Sequence, residues 1–153
     1  MNMILNDVLT KQNVFTKIIL KDGDKELSKE LKVKIMRTRM AYTKIKKAFD
    51  DEVKEFTEEL IPEELKELSS KEDRTEEENI RMQNLTDKVN SEYQEFLIQK
   101  GNEEVKLLLE DTFTLEEYSD IVDVNSSNDV EINGNTIKAV DFLEIVYDLF
   151  VKE

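Results

Sequence analysis

Apolar residues recur at steps of three and four through most of this chain, and the pattern changes only near its end. Leu27, Leu31, Ile35, Thr38, Tyr42, Ile45, Phe49, Val53, Phe56 and Leu60 keep that spacing without a break, which predicts one long helix from about Lys25 to Leu60. On a wheel of 100° per residue these positions fall within about 80° of arc, a seam as narrow as that of a coiled coil. Such a helix would be roughly 54 Å long. A compact chain of this length has a radius of gyration of only about 15 Å, so an elongated molecule is expected.

Ile61-Pro62-Glu63-Glu64 stops the long helix and opens a short one, with Pro at a first-turn position where its missing N–H costs nothing. Ser69-Ser70-Lys71 ends it. Thr75-Glu76-Glu77-Glu78 matches a capping box, and the helix it opens carries Met82, Leu85, Val89, Tyr93 and Phe96 to Gly101, placed as a C′ glycine. Two long helices with a short connection pack as an antiparallel hairpin. Upstream, Val8, Leu9, Phe15, Ile18 and Ile19 give Asn6 to Leu20 helical spacing. Lys21-Asp22-Gly23-Asp24 then reads as a turn.

After Gly101 the period shortens. Val105 to Leu109 reads as a strand, and Thr114-Leu115-Glu116-Glu117 as a second capping box, opening a short helix with Tyr118 and Ile121. Asp123 to Asp129 is polar and reads as a loop. Val130 to Ile137 has Asn133-Gly134 between β-branched residues, the signal of a hairpin. Ala139 to Val151 closes as an apolar helix, interrupted only by Asp141, Glu144 and Asp148 on one narrow strip. The expected fold is mainly α: an elongated antiparallel helical hairpin with a small C-terminal α+β element. Residues 1–101 would hold the N-terminal helix and the hairpin, and 102–153 the smaller element packed on or beside it, the whole forming one structural unit.

Two surfaces remain without an evident cover. Val33, Met36 and Met40 lie about 170° around the long helix from its main seam, so that segment needs partners on two sides. The terminal helix is apolar nearly all round, and either docks on the strands of its own chain or forms a subunit interface. The candidate interface residues are therefore Val33, Met36, Met40, Phe142, Ile145 and Leu149.

Charge sharpens this picture. Residues 1–49 carry 12 Lys/Arg against 5 Asp/Glu, and residues 50–153 carry 10 against 31. The acidic excess argues against general nucleic-acid binding. The basic stretch Lys25 to Lys47 has no interleaved aromatic platform, and reads as a solvated face that pairs with the acidic half in the same fold or a neighbouring copy. The acidic belt from Asp50 to Glu78 is either a solubilising tip or a docking surface for a basic partner, phosphate mimicry by an inhibitor protein included.

Chemistry is poorly supplied. The chain has no His and no Cys, so zinc sites, helical di-iron sites and disulfides have no ligands to draw on. Gly23, Gly101 and Gly134 are far apart and make no phosphate loop. The stretch from Asp123 imitates a calcium loop but has Asn128 at the turn-glycine position and Gly134 in place of the bidentate Glu. Carboxylate pairs such as Asp50/Asp51 and Glu63/Glu64 lie on polar helix faces. No catalytic residue, cofactor, metal or small-molecule substrate is expected. The first residues lack the basic and apolar regions of a signal peptide, and no apolar run reaches the roughly 20 residues that span a bilayer. A cytoplasmic, intracellular setting is expected, without a membrane.

The order of parts carries a resemblance. A short N-terminal helix, a long charged hairpin, Glu103 and Glu104 leading into the Glu-Val-Lys-Leu-Leu-Leu run at 104–109, and a terminal apolar helix resemble a group of small tailed-bacteriophage proteins encoded among virion or tail genes. The likeness is one of layout across most of the chain; the polar loop and the Asn133-Gly134 hairpin depart from it. It implies a phage-encoded structural or assembly protein, incorporated into a virion, and assigns no functional residues. Residues and resemblance together lead to a non-enzymatic structural protein that self-associates or docks into a larger assembly. An acidic inhibitor occupying a nucleic-acid-binding site on a host or defence protein is the alternative.

Overall fold

The computed structural model describes residues 2–107 and 111–152. Its elements run β1 (Asn2–Ile4), α1 (Leu5–Phe15), β2 (Lys21–Asp22), β3 (Lys25–Glu26), α2 (Lys29–Leu60), α3 (Glu63–Ser70), α4 (Glu76–Gly101), β4 (Glu104–Lys106), α5 (Leu115–Asn125), β5 (Val130–Ile132), β6 (Asn135–Ile137) and α6 (Ala139–Phe150). The fold is mainly α with a small α+β part. Among the described residues the strands form three antiparallel pairs: β1 with β4, β2 with β3, and β5 with β6.

The chain divides into two compact units, but not at residue 101. Met1–Lys46 groups with Glu104–Glu153, and Lys47–Glu103 stands as the other unit. The physical reason is the pairing of β1 with β4, in which Met3 faces Val105. That contact joins the N-terminal segment to the region after α4. The α+β part therefore draws on both ends of the chain. Of the strand expected at 105–109, Val105 and Lys106 lie in β4, and 108–109 fall outside the described residues.

In the first unit, α1 stops at Phe15 rather than continuing to Leu20. Thr16, Lys17 and Ile18 turn back onto Gln12, Val14 and Phe15 carbonyls, and β-branched Ile18 and Ile19 lead into the hairpin β2–β3 instead. That hairpin also takes Lys25 and Glu26 out of the long helix. Ser28 then starts α2 by accepting the Leu31 N–H at 3.2 Å. The buried side of α2 here is Leu31, Ile35, Thr38 and Tyr42, the first half of the seam. It packs into a core with Val8, Phe15, Phe113, Ile121, Phe142, Val146 and Phe150. Phe15 sits at the centre of a ring cluster, 5.6 Å from Tyr42, 5.6 Å from Phe113 and 5.1 Å from Phe150.

The unit contains the same motif twice, a helix, a β-hairpin and a second helix. Its landmarks recur at constant separation: Leu5 and Leu115 open the first helices, Thr16 and Ser126 cap them, Lys29 and Ala139 open the second helices. Buried Asn125 links the two copies. Its Oδ1 accepts the Ile19 N–H at 2.8 Å, and its Nδ2 donates to the Ile19 and Ile121 carbonyls. An interior amide is tolerated because these bonds satisfy it. The α5 helix runs through Asn125, so the polar segment read from Asp123 is shorter than expected and offers no twelve-residue metal loop. In the second hairpin Asn133 and Gly134 both adopt positive φ, 52° and 79°, the geometry a two-residue primed turn requires.

The second unit is the antiparallel helical hairpin. Phe56 of α2 stacks on Phe96 of α4 at 4.0 Å, and Lys100 pairs with Glu52 one turn further along each helix. Thr75 forms the full capping box at the start of α4, donor and acceptor both matched by Glu78. Two boundaries differ in detail. Pro62 is the N-cap of α3 rather than its first helical residue. Gly101 is the buried last residue of α4, with Asn102 as the cap in ordinary helical geometry.

Candidate functional site

Tyr42 faces α1 from the buried seam of α2, so the opposite side of that helix is left to solvent. There Val33, Met36 and Met40 are 39%, 52% and 71% exposed. Single exposed apolar residues are ordinary on a protein surface. These three succeed one another along one face, with Arg37 and Lys44 on the same side, which makes a continuous strip. At its C-terminal end the strip borders a groove of about 410 Å³. Met40, Ala41, Ile45 and Leu107 give it apolar walls, and Arg37, Lys44 and Lys106 supply its charge.

The terminal helix behaves differently: of its two alternatives, docking within its own chain is the one seen, on helices rather than strands, and Phe142 is corrected as an interface residue. Phe142 is fully buried and belongs to the core, while Ile145 and Leu149 are partly buried against it. The helix docks within its own chain, on α1 and α5. Its length fits because α1, α5 and the Phe113–Val151 bridge surround it: the Phe113 N–H donates to the Phe150 carbonyl, and the Lys152 N–H to that of Phe113. The six candidate residues are thus not one surface. Val33, Met36 and Met40 form a face; Phe142 has no part in it.

A second groove lies between α5 and α6, about 420 Å³, lined by Tyr118, Val122, Ser126, Val140, Leu143, Glu144 and Tyr147. Tyr118 and Tyr147 meet edge to face at 5.3 Å, and the Tyr118 hydroxyl donates to the Leu143 carbonyl at 2.7 Å. Burial pushes the Tyr118 phenol above its usual range, and the charges of Asp148 and Glu144 push it further. Val140 stands 70% exposed at the groove's edge. This groove was not anticipated. Its one sequence signal is Val140 and Tyr147 flanking the strip of Asp141, Glu144 and Asp148.

Besides Asn125 and Thr38, one charged group among the described residues is buried. Asp111 is almost fully enclosed, accepts a hydrogen bond from Tyr42 Oη and pairs with Lys11 Nζ at 3.2 Å. Burial, the hydrogen bond to Asp111 and the charge of Asp111 together raise the Tyr42 phenol far above its usual value. Unfolded tyrosine ionises near about pH 10, so this raised folded value gives stability that is present below that pH and lost as pH rises past it. Alkaline unfolding should therefore steepen above about pH 10, with Tyr42 forming tyrosinate only as the chain unfolds. Ultraviolet absorbance and circular dichroism followed together check this, and Tyr42→Phe should remove the coupling.

Glu117 lies on α5 beside α2. Burial opposes its charge, but the Thr114 N–H and Lys34, the latter at 2.9 Å, hold its carboxyl below the usual range. That pair ties the two helices together. Among the described residues no group of three or more acidic, His or Cys side chains converges as a metal site. Nor is any described helix long and apolar enough to cross a membrane.

Fold and surface together define a mainly α chain with one helix face left basic, apolar and uncovered by the rest of its own unit. No protein-family model, curated protein or solved structure matches it.

Proposed function

We propose that this chain is a non-enzymatic structural or assembly protein that works through protein contacts, with self-association first among them. The observation that carries the reading is the Val33, Met36 and Met40 strip, which stays exposed while the opposite seam of the same helix is buried. Burying apolar surface of this kind is worth roughly 25 cal/mol per Å², and the surrounding cations favour an acidic counterpart. The layout resemblance points to a bacteriophage virion as the assembly.

The inhibitor reading has less support. Part of the acidic surface is internally paired, Glu64 with Arg81 at 2.8 Å and Glu78 with Lys71 at 2.6 Å, which lowers its likeness to a bare phosphate array.

Sedimentation velocity of the purified chain, run over a concentration series at low and high salt, tests the proposal. The expected result is a mass that rises above 18.0 kDa with concentration and falls back as salt screens the charges. A mass of 18.0 kDa at every concentration would contradict self-association.

A further inference from the structure

The two grooves of the first unit are opposite in charge and alike in size. One has Met40 standing at its edge above Ala41, Ile45 and Leu107, with Arg37, Lys44 and Lys106 around it. The other has Val140 at its edge beside Tyr118, Val122 and Tyr147, with Glu144 in its lining. Asp141 and Asp148 are exposed one turn to either side of Glu144 on the same helix. Each groove therefore pairs a protruding apolar side chain with a hollow, and each carries the charge the other lacks.

We infer that the Met40 groove of one copy receives the α5–α6 groove of a second copy, in a head-to-tail contact. Met40 enters the hollow lined by Tyr118 and Tyr147, where a thioether gains from contact with aromatic rings. Val140 enters the hollow floored by Ala41 and Leu107. Arg37, Lys44 and Lys106 meet Glu144 and its acidic neighbours, which fixes the register. A second copy is the occupant because both halves of the complementarity, apolar and electrostatic, are present on one chain. A head-to-tail contact of this kind is heterologous, and repeated from copy to copy it forms a ring or a filament. This inference rests on the self-association reading and specifies its interface.

Two charge reversals test it. Variant one is Arg37→Glu with Lys44→Glu; variant two is Glu144→Lys with Asp148→Lys. All four side chains are exposed, and circular dichroism verifies that both variants remain folded. Each variant alone should associate at least about 10-fold more weakly than the parent chain, the loss expected for opposed like charges. Mixed, the two should associate again, because the intact groove of each meets the intact groove of the other and the two reversed grooves, Glu against Lys, are themselves complementary. If the parent associates and both variants associate equally well, the interface lies elsewhere and this inference falls while self-association stands. Two monomeric variants that do not pair on mixing would also overturn it. A parent chain that stays single at every concentration removes the broader reading as well.

Discussion

Replacing Phe15 by alanine should destabilise the first unit by about 3–5 kcal/mol, the range for removing a buried phenylalanine from a packed core. Phe15 is fully enclosed and touches three other rings: Tyr42 from α2, Phe113 ahead of α5, and Phe150 at the end of α6. Its loss leaves a cavity bordered by three separate segments, and rigid helices cannot all move in to fill it. A melting temperature lower by roughly 6–20 °C follows for a chain of this size. Phe56→Ala makes the comparison. That ring stacks on Phe96 in the second unit but is only half-buried, and the smaller enclosed area should make its loss clearly the lesser. Chemical denaturation of the two variants side by side measures the difference.

Asp111→Ala is the other large effect, about 3 kcal/mol or more, because removing one partner of a buried ion pair leaves the other without compensation. Both the Lys11 ammonium and the Tyr42 hydroxyl would lose their acceptor. The uncharged isostere Asp111→Asn repairs this only in part, since its carbonyl still accepts the Tyr42 hydroxyl while the Lys11 charge stays unmet. Replacing the whole group, as Lys11→Met, Tyr42→Phe and Asp111→Leu together, should recover most of the stability. Thermal or denaturant unfolding of the single and triple variants checks both expectations. A triple variant as unstable as the single one would show that packing, not polarity, holds this site.

The helical seam was legible because a helix buried on one side must repeat its apolar residues at 3.6-residue spacing, and Leu27 to Leu60 do so. The capping boxes at Thr75 and Thr114 were legible for a similarly local reason: both partners lie within four residues. What escaped was non-local. Val105 and Lys106 were legible as part of a strand, but Asn2–Ile4 is only three residues, too short for alternation to show, and the pairing of the two bridges the whole second unit in sequence. That pairing moved the division of the chain from residue 101 to Lys46 and Glu103.

The site was half legible for the same reason. Apolar residues on two sides of α2 predict two apolar faces, and the structure leaves Val33, Met36 and Met40 exposed on the side opposite the buried seam. For the terminal helix the pattern shows that Phe142 is covered but not by what; α1 and α5 of the same chain supply the cover. Lys106 reaches the Met40 groove from a strand distant in sequence, so no spacing along α2 could announce it. The repeated helix–hairpin–helix motif was equally hidden. Leu5 with Leu115, Val14 with Val124 and Ile35 with Ile145 match across it, while most other aligned positions differ in chemistry.

Methionine oxidation by dilute peroxide, mapped by mass spectrometry at low and high protein concentration, reads most directly whether a second chain covers the uncovered face of α2. Met40 should oxidise quickly in dilute solution and several-fold more slowly where the chain is concentrated, with Met82 of the helical hairpin as an unchanged internal reference. Equal Met40 rates at both concentrations would mean that nothing settles on that face, and the account would fail.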